Sequence, residues 1–260
     1  MKNPILLNFD VEEFDLPLEY GEFISEEEQF EFSLEGLKKI LNLLDKYNIK
    51  ATFFITASFA EHNKPLIKQI SNKHEIASHG LKHKNYIYDE LEIKESKKII
   101  ESIIKKNIFG LRFPRLKKVD FSSLFRLGFK YDSSISPAYM PRRYNYYSEK
   151  RKINLKEGIY EVPTSTFPIF RLPFSWLFSR LFGFIYLKLG TLLCLKNPGF
   201  VNLYFHSWEF NNLNNFKIPF YIKKNSGWKL HRMLEKYILW CKNRNFSFST
   251  IYDFLSSQRN

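Results

Sequence analysis

Short apolar runs alternate along the chain with longer stretches in which apolar residues recur every three to four positions. That rhythm predicts β/α units around a mostly parallel sheet. The strand-like runs are PILLNF, ATFFIT, HEIAS, IFGLRF, FKYD, GIYEVP, FVNLYF and FSFST. Between them, SLEGLKKILNLLDKYN sets Leu34, Leu37, Ile40, Leu41 and Leu44 on one helical face, with Ser33 as the predicted N-cap. DELEIKESKKIIESIIKK and GWKLHRMLEKYILWCKNR repeat the helical period. Eight strand-like runs with helices between them suit an α/β fold closed into a distorted (β/α) barrel better than an open sheet. No repeat or low-complexity linker divides the sequence, so residues 1–260 read as a single domain.

One segment departs from the rhythm. FPIFRLPFSWLFSRLFGFIYLKLGTLLCL, residues 167–195, is almost continuously apolar, yet Pro173 lies inside it and Arg180 falls near the middle of any membrane-length window. A charge at the centre of a bilayer costs about 2.5–3.5 kcal/mol even on the mildest scale, which argues against a spanning helix. Two readings stay open: a helical insertion that packs on or caps the domain, and a surface that associates peripherally with a membrane.

Composition narrows the function classes. Hydrophobic residues make up 44% and aromatics 18%, enough for a sizeable core and unlike a disordered chain. Cys194 and Cys241 stand in no paired motif, so neither a disulfide framework nor a cysteine-rich zinc site is expected. MKNPILLNFDVEEF has only four apolar residues in a row before acids begin, unlike a signal peptide. A cytoplasmic protein is expected, at the inner face of the membrane if residues 167–195 dock there. Lys and Arg outnumber Asp and Glu by 40 to 27, a net charge of +13 that favours anionic partners. Nucleic acid is not expected among them, because the basic residues are scattered and no helix-turn-helix, zinc-finger or RNA-recognition pattern occurs.

The candidate chemistry sits just past strand ends, where parallel α/β folds gather their active sites. Asp10 and Glu12 follow the first run, His79 and His83 the third, Arg112 the fourth, and His206 the seventh. In an alternating strand Asp10 and Glu12 share one side while Val11 takes the other. HGLKH spaces two imidazoles so that a helical turn would present both on one face. Two imidazoles and a carboxylate leave Zn²⁺ with an open position for water, the pattern of a hydrolytic site. Taken singly, these residues also fit an acidic surface turn, structural histidines and an ordinary ion pair. Glu13 and Asp15 are expected to be solvated or paired with the basic surface.

In this order, FDVEEF, ATFFIT, HEIASHGLKH, LRFP, FKYDSSIS, EVPTSTF and YFHSWEF resemble the polysaccharide deacetylases of carbohydrate esterase family 4, the NodB-homology domain. The wording is closest to the branch associated with exopolysaccharide biosynthesis, and the resemblance runs from about Ile5 to Leu255. It implies a divalent-metal hydrolase, with Zn²⁺ as the metal, that removes N-acetyl groups from a glycan or a lipid-linked sugar. Asp10 then matches the catalytic base, Arg112 the residue that orients it, and His206 the acid that protonates the leaving amine. His79 and His83 match metal ligands. The family's second aspartate is Val11 here, and in variants of the motif that read D-x-D or D-x-E the ligand stands two residues after Asp10, at Glu12. Leu203 matches the apolar wall of the acetyl pocket, and Pro114 and Trp208 fall in motifs that line the cleft. Arg115 after Pro114 makes that wall more basic, and YDSSIS stands where the family's tryptophan motif is expected. Tyr86, Tyr139 and Trp208 follow site motifs and are candidates to stack on sugar rings. Val11 and the altered arginine motif keep a second class open, a catalytically silent carbohydrate-binding protein that retains the fold.

Overall fold

The structure is a computed structural model and describes residues 3–84, 87–141 and 143–258. β1 (Pro4–Val11) is followed by a 3₁₀ turn (Leu16–Tyr20), α1 (Glu26–Tyr47), β2 (Thr52–Ile55), α2 (Ala57–His62) and α3 (Lys64–Ile70). Next come β3 (Glu75–Ser78), α4 (Glu90–Ile104), β4 (Gly110–Leu111), a 3₁₀ turn (Pro114–Leu116), α5 (Phe121–Arg126) and β5 (Tyr131–Asp132). A hairpin of β6 (Tyr139–Met140) and β7 (Tyr144–Asn145) precedes β8 (Asn154–Lys156) and β9 (Ile159–Glu161). α6 (Trp176–Lys196) crosses to β10 (Val201–His206), and a 3₁₀ turn (Ser207–Phe210), α7 (Phe220–Lys223), α8 (Trp228–Asn243), β11 (Ser247–Ser249) and α9 (Ile251–Ser257) follow.

All eight strand-like runs become strands of one sheet, ordered β10-β1-β2-β3-β4-β5-β9-β8, with β11 beside the start of β1. Only β8 is antiparallel. No ladder joins β9 to β10. That seam is bridged past the end of β9, where Ser165 N–H donates to the Asn202 carbonyl (2.9 Å) and Asn202 N–H donates to Ser165 Oγ (2.8 Å). The sheet therefore curls into a distorted half-barrel, as the strand rhythm predicts. The sequence pattern did not reveal β6, β7 and β8, which are two or three residues long and partly exposed, too short to carry a period.

Alternation sorts the side chains. Ile5, Leu7, Phe9 and Val11 of β1 and Val201, Leu203 and Phe205 of β10 face the helix layer and form the main core. Leu6, Phe54, Ala77 and Tyr131 face inward, where Ile251 and Phe254 of α9 plug the base of the half-barrel. The Tyr131 ring lies 2.0 Å from where a Cβ on Gly110 would be, so that strand position admits no side chain. Above the plug the inward positions turn polar, starting with Asn8 and Asn202.

Two expectations change. α1 starts two turns before Ser33, which is buried inside the helix; the N-cap is Ser25. Ser25 Oγ accepts from Glu28 N–H (3.3 Å) and Ser25 N–H donates to Glu28 Oε2 (2.9 Å), a reciprocal cap. Residues 167–195 supply the crossover helix between β9 and β10, a regular place in a β/α layer rather than an insertion. Leu187, Gly190, Thr191 and Cys194 of α6 are buried, and the Thr191 hydroxyl lies 2.6 Å from that of Tyr237 on α8. Among the described residues α6 is the one helix long and apolar enough to cross a membrane, and a third of its apolar window is buried (33%).

Candidate active site

β1 ends by carrying Asp10 and then Glu12 to one side of the sheet, both 2% exposed. The chain after β3 brings His79 and His83 over them through a turn, not the helical turn that their spacing suggested. Glu12 Oε2 lies 3.0 Å from His79 Nε2 and 3.4 Å from His83 Nε2, and one ligand atom of each of the three lies within 4.8 Å of the others. The far side of every group is engaged. His79 Nδ1 is 2.7 Å from the Arg112 carbonyl, and His83 Nδ1 is 2.8 Å from Asp15 Oδ1. Both contacts call for a proton on Nδ1, which leaves each Nε2 with its lone pair turned toward Glu12. The Trp208 indole N–H donates to the other Glu12 oxygen at 3.0 Å. Three acceptors that face one another in a buried site repel unless a cation or proton sits among them. Two imidazoles, one carboxylate and an open side fit a divalent metal.

Protons respond to the same crowding. Burial pushes His83 down, but the Glu12 and Asp15 carboxylates outweigh it and hold the ring up to about 9. Burial pushes Glu12 up, but His83, His206 and His79 outweigh it and hold that carboxyl well below the usual range. Glu13 and Asp15 are not solvated as expected, because the turn after β3 folds over both. Besides Asp15 on His83, Glu13 accepts from the Thr56 hydroxyl (3.1 Å) and from the His83 backbone N–H (3.3 Å).

Arg112, fully buried, donates from Nη1 to Asp10 Oδ1 at 2.8 Å. Its guanidinium is sandwiched between the rings of Phe54 (4.1 Å) and Tyr204 (4.9 Å). Nε donates to the Ser133 carbonyl (3.1 Å) and Nη2 to Ser133 Oγ (3.0 Å). Asn202 Nδ2 also donates to Ser133 Oγ (3.1 Å), and Asn8 Nδ2 donates to Asn202 Oδ1 (2.6 Å). A planar fork held on both faces and along two edges has one direction left, toward Asp10.

His206 faces these carboxylates from β10, its Nε2 3.9 Å from Asp10 Oδ2 and 4.0 Å from Glu12 Oε1. Its Nδ1 lies 2.9 Å from Glu209 Oε1, which also accepts the His206 backbone N–H (2.7 Å). Glu209 Oε2 lies 2.9 Å from Arg180 Nε, and both residues are fully buried. Trp208 stacks on the His206 ring (4.9 Å) and Trp176 meets it edge-on (5.1 Å). Burial lowers the His206 pKa, but Glu12 and Glu209 outweigh it and the net shift is upward. Trp208 owes its place to α1: a Cβ on Gly36 would lie 2.0 Å from the Ser207 carbonyl, so glycine lets that turn seat against the helix.

A cleft opens over these groups, lined in addition by Arg115, Arg143, Tyr144, Trp176, Leu177 and Tyr204. Of the expected lining residues, Trp208 is present, with its N–H committed to Glu12. Leu203 is not, since strand alternation turns it to the core opposite Leu7 and gives its inward place to Tyr204. Pro114 is not, since left-handed backbone at Arg115 (φ 57) and Leu116 (φ 53) brings those two to the cleft and Pro114 against Gly80. Tyr139 is exposed on the hairpin away from the cleft, and Tyr86 lies outside the described residues. Sequence reasoning missed Asp15, Ser133, Asn202, Arg180 and Trp176. Two of these left a signal: a ligand histidine needs an acceptor on its far nitrogen, and an arginine inside an apolar run needs a buried partner.

A family model described as polysaccharide deacetylase matches residues 31–123, the stretch that holds His79, His83 and Arg112. Among solved structures, a candidate polysaccharide deacetylase from Mycobacterium smegmatis is similar with a TM-score of 0.68 at 17% identity, over 98% of this chain and 89% of that one. A second, from Pseudomonas aeruginosa PAO1, gives 0.64 at 16% identity over 96% and 88%. A CE4 family pseudoenzyme from Bacillus anthracis gives 0.54 at 13% identity over 97% and 65%. A search of curated proteins finds no match. The family match is confined to residues 31–123, and the similar structures share the fold.

Proposed function

We propose that this chain is a polysaccharide deacetylase that hydrolyses the N-acetyl amide of amino sugars in a glycan or its lipid-linked precursor. The observation that carries the reading is the convergence of Glu12, His79 and His83 beside two opposed, separately anchored groups, Asp10 and His206. A divalent cation held by Glu12, His79 and His83, Zn²⁺ in this reading, supplies Lewis acidity and a water of lowered pKa.

The chain's own residues supply the proton transfers. Asp10 has Oδ1 pinned by Arg112, which leaves Oδ2 free in the cleft to accept the proton of the attacking water. His206, its Nδ1 held by Glu209, presents Nε2 to the same space from the opposite wall. The carboxylates around it shift its pKa upward, the direction that favours the proton it gives to the departing nitrogen. The carbonyl carbon gains the water oxygen, the C–N bond breaks, and acetate and a free amine leave. Glu12 beside both histidines supports a ligand two residues after Asp10 in place of Val11. The motif wording supports a role in exopolysaccharide or other cell-surface glycan synthesis.

A second reading, a silent carbohydrate-binding protein, is favoured by Val11 in the place of the family's second aspartate and by the pseudoenzyme among the similar folds. One experiment separates the two: reconstitution with Zn²⁺, metal quantification, and assay of acetate release from N-acetylglucosamine oligomers. The hydrolase reading expects about one metal per chain and metal-dependent acetate. Glycan binding that ignores both chelator and Asp10→Asn, with no acetate, would establish the silent reading instead.

A further inference from the structure

α6 has two surfaces. Its inner face packs on the domain, whereas Ile185, Leu189 and Leu192 form a stripe at helical spacing beyond the kink at Gly183 (φ 75), and Phe182 stands exposed just before that kink; the four are 40–71% exposed. The turn before the helix adds Ile169 and Phe170, 66% and 80% exposed. Phe170 (φ 60) and Arg171 (φ 47) hold left-handed backbone, which costs a non-glycine residue about 1–2 kcal/mol. Phe167 and Phe182 both pack on the Tyr186 ring, at 4.6 and 5.4 Å, so turn and stripe belong to one surface. A contiguous exposed apolar surface of this kind marks a face that something covers.

The charges around the stripe identify the cover. No Asp or Glu occurs between Glu161 and Glu209. Where α6 meets α8, Lys188 and Lys236 lie over the Phe184 ring (5.6 and 4.6 Å), and Lys188 and Arg244 over Trp240 (5.8 and 5.2 Å). Apolar side chains edged by cations, with no carboxylate in the 167–195 segment itself, match an anionic lipid surface: the stripe enters the acyl boundary while the cations stay level with the phosphates. The cleft shares the same helix, since Trp176 and Leu177 at the start of α6 line it.

We infer that α6 and the 167–172 turn dock the protein on an anionic bilayer, and that the cleft takes its glycan there as the head of an amphiphile whose apolar tail stays in the lipid. The second half rests on the hydrolase reading; the first does not.

The test is co-sedimentation with phosphatidylcholine vesicles with and without phosphatidylglycerol. The full chain should bind the anionic vesicles and release as salt rises. The triple variant Phe182→Ser, Ile185→Ser, Leu189→Ser should lose at least about tenfold in vesicle affinity, since each removes apolar contact with the acyl layer. It should keep its thermal melt and its acetate release from soluble N-acetylglucosamine oligomers. Wild type that ignores anionic vesicles, or a folded variant that binds them equally, overturns the inference. So does a concentration-dependent dimer in sedimentation velocity that the variant abolishes, because a second copy would then be the cover. Vesicle binding lost in the variant, with no acetate from any substrate, upholds docking and removes the hydrolase reading together with the second half of the inference.

Discussion

Asp10 and His206 face one another across a few ångströms of cleft, but the two walls that hold them are built on different terms. On the β1–β4 wall the Arg112 guanidinium is clamped by two rings and by Ser133, and His79 and His83 each have an acceptor on the far nitrogen. On the β10–α6 wall the Glu209 carboxylate behind His206 is balanced by Arg180, whose Nη1 and Nη2 are buried without a hydrogen-bond partner among the described residues. On the first wall the Arg112 clamp is a satisfied network, in which low dielectric strengthens each bond. The second carries a buried charge pair whose desolvation is only partly offset, and pairs of that kind are retained more for what they orient than for stability. Metal ligation and the base belong to the rigid wall, while the acid sits on a wall continuous with the exposed face of α6.

The largest effect should come from the first wall. Asp10→Asn is expected to lower acetate release by about 10²–10⁴-fold while metal content, read by elemental analysis, stays unchanged. His79→Ala should lose metal and activity together. Metal loss in Asp10→Asn would mean that Asp10, rather than Glu12, completes the ligand set.

The second wall should break in a different currency. Arg180→Met leaves Glu209 buried without its partner and is expected to destabilise the fold by about 3–5 kcal/mol, read from urea midpoints. Adding Glu209→Gln removes the stranded charge and should restore most of that loss. A single variant as stable as wild type would show that the pair is not held in solution. Asp15→Asn comes next in size. It loosens the far nitrogen of His83, and the expected cost is about 10–100-fold in metal affinity, measured by competition with a chelator. An unchanged affinity would remove Asp15 from the ligand-orienting role.

The contrast between the walls also accounts for what the sequence made legible. Asp10 and His206 lie near the ends of their strands, Glu12, His79 and Arg112 follow a strand at once, and the turn after β3 returns His83 to the same side. All eight runs that become the main strands were visible because buried parallel strands are continuous apolar runs. Arg180 and Glu209 are far apart in sequence and on different elements, and nothing local couples them; only the crossover of α6 over β10 does. Asp15 and Glu13 looked solvated because burial came from a distant loop, residues 79–84, closing over them. Leu203 and Pro114 were misplaced by one position each. In a strand such a slip reverses the face, and after Arg112 the left-handed backbone at Arg115 reorients the wall in a way that residue types do not announce.

The pH dependence of stability tests how tightly the first wall is held. Asp132 is buried beneath the Arg112 clamp and accepts from Ser134 N–H (2.9 Å) and Ser134 Oγ (2.5 Å). Burial pushes its carboxyl up, the Ser134 hydrogen bonds pull the other way without cancelling it, and the group is held up to about 7. In the unfolded chain the same carboxyl titrates near ~3.9. Between those values the unfolded state has released a proton that the folded state keeps, so raising the pH favours unfolding. Asp132 therefore contributes stability that is fully present below about pH 4 and is lost as the pH climbs through 7. Glu75, half-buried at the base of the half-barrel and raised to about 6, adds a slope of the same sign, so the informative quantity is wild type minus variant. Asp132→Asn keeps an acceptor for Ser134 and cannot ionise. Melting temperatures taken at several pH values from 4.5 to 7.5 should fall more steeply for wild type than for this variant. Parallel curves would mean that Asp132 is solvated in solution and that the Ser133–Ser134 turn under Arg112 is looser than the clamp requires.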